Sequence, residues 1–161
     1  MLPLTRTERR RRATLENGYK AMIGIIVLLI AGVISYSVLF PPGPVEIRQF
    51  EAKSEIVVDQ WTPLTITLDV RESLSNVTLY FNSSREVLLG AYTEIEVQQV
   101  GDDYIVVLGD LSADTTYTYE LALTGWLPRD ATKATKDLTV SILVQNEEFA
   151  SKTKTLTIFR S

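Results

Sequence analysis

The chain has 161 residues, enough for one ordinary domain plus a further segment but not for two full domains. It contains no cysteine and no histidine, which removes disulfides, thiolate nucleophiles, the commonest general base and the commonest transition-metal ligand. The net charge of −4 averages over a basic head, a neutral stretch and an acidic body.

Residues 1–20 carry the run Arg9, Arg10, Arg11, Arg12 and then Lys20, with only Glu8 and Glu16 opposing them. Residues 21–40 read AMIGIIVLLIAGVISYSVLF and carry no charge. Twenty residues at about 1.5 Å rise span roughly 30 Å, the thickness of a bilayer core. The stretch is therefore expected to be a single transmembrane helix. Basic residues stay on the cytoplasmic side, so the amino terminus is expected inside and the remainder outside. Pro41, Pro42 and Pro44 end the span and start a stiff spacer over 41–45. The apolar run is longer than a secretory signal core, which favours an uncleaved signal anchor. Gly24 and Gly32 are eight apart and form no GxxxG pair.

Lys20-Ala21-Met22-Ile23 resembles the processing site of archaeal class III signal peptides, found on type IV pilins and archaellins. In that family a basic leader ends in Lys or Arg, Gly or Ala follows, and an apolar helix comes next. The resemblance implies cleavage after Ala21, exposing Met22, and assembly of a filament through the apolar helix. The leader here is longer than usual, and Pro41-Pro42 stops the helix abruptly.

After residue 45 the apolar positions recur every second residue. Leu64, Ile66, Leu68 and Val70 form one such face, Val77, Leu79 and Phe81 another, and Leu138, Val140, Ile142 and Val144 a third. A period of two marks strands with one buried face. Strands are expected over 45–52, 64–70, 77–82, 86–91, 94–100, 104–108, 115–124, 138–145 and 153–160. Turn residues separate them, as in Gly101-Asp102-Asp103 and Gly109-Asp110. Seven to nine short strands predict an all-β, immunoglobulin-like antiparallel β-sandwich over 46–161, following one N-terminal transmembrane helix.

The stretch from Leu111 to Tyr117 and on to Leu121 resembles the approach to strand F in fibronectin type III and related immunoglobulin-like domains. The resemblance implies a tyrosine corner, with Tyr117 returning its hydroxyl to the backbone and Leu111 plugging the end of the sandwich.

Asn76-Val77-Thr78 and Asn82-Ser83-Ser84 are N-glycosylation sequons, usable on an exported domain. Asp102, Asp103, Asp110 and Asp114 flank two turns, but their spacing fits no EF-hand and aspartate is a routine turn residue, so no metal is expected. Trp126 and Leu127 fall in a loop between two late strands. Two readings stand for them: a partner-binding anchor, or a tryptophan folded over the core edge. Trp61, ahead of Pro63, reads as a lid on the core. The body is acidic, so no nucleic acid is expected.

Neither a catalytic constellation nor a cofactor motif emerges. The expected function is a non-enzymatic binding or structural module at the cell membrane, contacting another envelope protein: a surface-layer protein, a filament or a membrane complex. The architecture is similar to the membrane-anchored sandwich proteins that archaea place under their surface layer, including stator-like components of the archaellum. A filament subunit and an accessory subunit of a larger membrane complex stand as alternatives, and self-association stays open.

Overall fold

The structure is a computed structural model, and it describes residues 19, 22–23, 25–30, 43–92 and 95–160. The chain divides into two compact units, Met1–Pro42 and Gly43–Ser161. In the first, Tyr19, Met22, Ile23 and residues 25–30 are helical and exposed. Among the described residues no helix is long and apolar enough to cross a membrane. Most of the expected span, Arg9 to Arg12, Lys20 and Ala21 lie outside the described residues.

The second unit is built from ten strands: β1 (Val45–Ala52), β2 (Glu55–Val57), β3 (Thr62–Val70), β4 (Leu74–Asn82), β5 (Val87–Ala91), β6 (Val97–Val100), β7 (Asp103–Leu111), β8 (Thr115–Gly125), β9 (Lys133–Val144) and β10 (Glu147–Phe159). They form a four-stranded sheet in the order β1-β3-β8-β5 and a six-stranded sheet in the order β2-β10-β9-β4-β7-β6. All pairs are antiparallel except β2 with β10. The fold is thus an all-β sandwich.

The expected alternation sets the core. Leu64, Ile66 and Leu68 of β3 are fully buried, as are Leu79 and Phe81 of β4, Leu121 and Leu123 of β8, Val140 and Ile142 of β9, and Leu156 and Ile158 of β10. Each such side chain contributes about 1.5–3 kcal/mol by leaving water, which is how a domain without disulfides holds together.

Three details depart from the sequence reading. β2 is an additional strand. It has only three residues and one buried side chain, Ile56, too short to display a period. The β9–β10 hairpin is longer than expected because Gln145 and Asn146 alone make its turn, at φ 52° and 71°. That left-handed pair matches the twist of the strands it joins. Trp61 is no lid on the core: the residue is 52% exposed. Even-numbered residues of β3 point inward, so position 61 falls on the outer side, and the ring lies over Gly90.

The strand directions define two poles. β1 enters at Val45, which lies beside Val70 and so near Thr115. The opposite pole gathers the segments 53–61, 83–86 and 126–132 and the end of β10. At about 3.3 Å per residue, the eleven residues of β8 separate the poles by roughly 35 Å.

Candidate functional site

The pole away from Val45 carries an open cleft of about 540 Å³, lined by Val58, Asp59, Trp126, Leu127, Arg129 and Arg160. Its construction starts at Gly125, the last residue of β8. A Cβ there would lie 2.3 Å from Ile158 Cγ2, so only glycine lets β8 approach β10 this closely. Val58 pairs with Gly125 in parallel, and the Asp59 N–H donates to the Gly125 carbonyl at 3.3 Å. Asp59 sits in the left-handed region, at φ 63°, where aspartate is tolerated better than most residues. The two cleft walls therefore meet at one glycine.

The Trp126 N–H donates to the Glu86 carbonyl at 2.8 Å, which fixes the chain leaving β8. Neighbouring side chains then take opposite directions. Leu127 is buried at 2% exposure, while Trp126 keeps 42% of its surface in solvent. Arg160 ties the following turn, its guanidinium donating to the carbonyls of Leu127 at 2.8 Å, Pro128 at 3.1 Å and Arg129 at 3.3 Å. The Arg160 N–H also donates to the Thr132 carbonyl at 3.0 Å, and Ala131 N–H to Pro128 at 3.1 Å. The indole thus stands on a backbone held at both ends, which lowers the ordering cost of binding.

Beneath this loop Lys136 Nζ lies 3.1 Å from Glu86 Oε1 in a largely covered pair. Burial works against the Glu86 carboxylate, yet Lys136 and the surrounding donors outweigh it and hold its pKa below the usual carboxylate range. Among the described residues Arg129, Arg160 and Asp59 have no salt-bridge partner. The cleft offers an indole face flanked by two guanidinium groups and one carboxylate. That set suits recognition and holds no nucleophile paired with a base.

The remaining candidate residues lie elsewhere. The Tyr117 hydroxyl accepts the Ser112 N–H at 2.9 Å near the Val45 pole, and Leu111 is buried at 4% exposure. That backbone donor lowers the Tyr117 pKa. Its ring stacks on Tyr119 at 6.4 Å, and burial pushes the Tyr119 hydroxyl up to about 12. Asn76 and Asn82 are exposed at the two ends of β4. The turn aspartates are engaged in hydrogen bonds: Asp103 accepts from the Tyr80 hydroxyl and the Ser83 N–H, and Asp110 from the Asn76 N–H. Among the described residues no three acidic groups converge on a common point.

Of the cleft, the sequence pointed to Trp126 and Leu127 alone. Asp59, Arg129 and Arg160 come from three separate segments, and no local spacing connects them. Gly125, directly before Trp126, was the one available signal.

No protein-family profile matches the sequence, and no curated protein is similar to it. Several solved structures share the general architecture. A cohesin module from a Clostridium perfringens family 33 glycoside hydrolase is 13% identical, with 74% of this chain and 98% of that one covered and a TM-score of 0.44. AvmM, which catalyses macrocyclization in alchivemycin A biosynthesis, is 6% identical over 76% and 91% of the two chains, with a TM-score of 0.49. The major pilin subunit BcpA of Bacillus cereus is 10% identical over 73% of this chain and 41% of its own, with a TM-score of 0.41. These likenesses add nothing beyond the two-sheet architecture.

Proposed function

We propose that this protein is a single-pass, membrane-held module whose sandwich lies outside the cell and binds another envelope protein through the cleft around Trp126. The carrying observation is the half-exposed indole at the cleft, set on a backbone fixed by Glu86 and Arg160. Exposed tryptophans on rigid frames are the residues that dominate protein interfaces. The position of the cleft supports the same reading. It lies at the pole of the sandwich opposite Val45, the first residue of β1.

The helical, exposed and wholly apolar residues 25–30 support the anchor, and the arginines before them support its direction. The strand order supports an immunoglobulin-like topology, with β1, β3, β8 and β5 in the places of strands A, B, E and D, and β9 in that of F. On that assignment the Tyr117 bond falls at the start of strand E, one strand earlier than its resemblance implied.

The test is capture from native membranes with full-length protein and with Trp126→Ala. The reading expects a discrete envelope protein with the first and its loss with the second. Equal capture by both overturns the assignment of the cleft. Amino-terminal sequencing of the native chain checks the anchor: an intact leader supports the tether, whereas a start at Met22 makes the helix a filament-assembly element.

A further inference from the structure

We infer that Asn76 and Asn82 carry N-linked glycans, attached before the sheet closes, which then cover the outer face of the six-stranded sheet. The inference rests on the outward location proposed above.

The two asparagines bracket β4. Val77, Leu79 and Phe81 of this strand are fully buried, so the intervening side chains belong to the solvent face. Asn76 and Asn82 are both exposed, Asn76 at a bulge where its backbone is left-handed, at φ 57°. Six residues at about 3.3 Å place them roughly 20 Å apart along the strand. β4 lies between β7 and β9 inside the sheet, so glycans at its ends stand over the middle of that face.

The acceptor motif also needs its hydroxyl two residues on, and the folded chain locks the backbone of one motif and hides the hydroxyl of the other. Thr78 stands on the solvent face, but its strand is paired on one side at Val107 and on the other at Leu143. The Ser84 hydroxyl is buried. Ser83, between Asn82 and Ser84, is held by Asp103 through its N–H at 3.0 Å and by the Asp102 carbonyl through its hydroxyl at 2.7 Å. A transferase cannot grip either segment without opening the sheet or the turn. The finished fold nonetheless accommodates the product, because both asparagine side chains face solvent. Attachment to the newly exported, unfolded chain satisfies both conditions.

The donor class is a lipid-linked oligosaccharide. The Asn Nδ2 forms a bond to the anomeric carbon, the bond from that carbon to the lipid phosphate or pyrophosphate oxygen breaks, and Nδ2 loses a proton. Glycans placed here leave the four-stranded sheet uncovered.

The experiment is peptide mapping by mass spectrometry on full-length protein from its native membranes. Both sequon peptides are expected to carry sugar. Thr78→Val, a substitution suited to a strand, is expected to free Asn76, and Asn82→Gln to remove the second glycan. Bare asparagine at both sites in the native chain overturns the inference. Protease treatment of intact cells separates the causes: cleavage of a bare body leaves the outward location standing, whereas a protected body removes both. For the timing, unmodified full-length protein is offered to native membranes with the lipid-linked donor, folded and then urea-unfolded. Modification of the unfolded chain alone is expected, and modification of the folded chain overturns attachment before folding.

Discussion

Gly125→Ala tests how the cleft is built. The added methyl would sit 2.3 Å from Ile158 Cγ2 and 3.3 Å from both Ile158 Cβ and Cγ1. Ile158 is fully buried and branched at Cβ, so turning its Cβ hydrogen toward the new methyl drives both γ carbons into packed neighbours and leaves Cβ itself at 3.3 Å. The backbone of β8 or β10 must move instead. Overpacking of this kind costs about 1–3 kcal/mol, and a contact this short belongs at the upper end. For a domain of this size about 3 kcal/mol lowers Tm by roughly 10 °C. Ile158→Ala alone removes a buried side chain and costs about 2–5 kcal/mol. In that background the new methyl enters vacated space, so Gly125→Ala should cost less than about 1 kcal/mol, a coupling of about 2 kcal/mol. Urea and thermal denaturation of full-length protein in detergent, followed by tryptophan fluorescence, reads all four forms. An equal penalty in both backgrounds would refute the steric argument.

Leu127→Ala should destabilise the body by about 2–4 kcal/mol because its side chain is buried, whereas Trp126→Ala should stay within about 1 kcal/mol and lose partner capture instead. Denaturation beside capture separates the two. Thr124→Val should raise stability by about 1 kcal/mol, since the Thr124 hydroxyl is buried without a partner; a fall in the urea midpoint would contradict this. Tyr119 has its folded pKa raised from 10.0 to about 12. The folded state therefore keeps the proton longer than the unfolded state. Its contribution is fully present below pH 10 and is lost as pH rises through about 12. Stability measured across that window should fall less steeply in Tyr119→Phe.

The strands were legible where one face is buried and the other is polar. β1 was read with its observed boundaries because Val45 and Ile47 turn inward between polar residues. The first residues of β9 (133–137) and of β10 (147–152) were not, because Lys133, Lys136, Asp137, Glu147, Glu148 and Lys152 leave them largely polar and exposed. They are held by pairing across the hairpin, such as Lys136 with Leu156 and Ala150 with Ile142, and show no apolar period of their own. β2 owes its place to parallel pairing with Thr157–Phe159, a relation across 102 positions that local pattern does not contain. The cleft follows the same rule. Trp126 announced itself as an aromatic residue in a loop, but its neighbours Asp59 and Arg160 arrive only when two sheets are brought together at Gly125.

Site-specific photo-crosslinking in intact native cells tests the central claim most directly. A benzophenone side chain in place of Trp126 probes the cleft, and one in place of Asp114, an exposed turn residue at the Val45 pole, serves as the comparison. The account predicts one discrete crosslink to another envelope protein from position 126 and none from position 114. No crosslink from position 126, or the same crosslink from both, would contradict it.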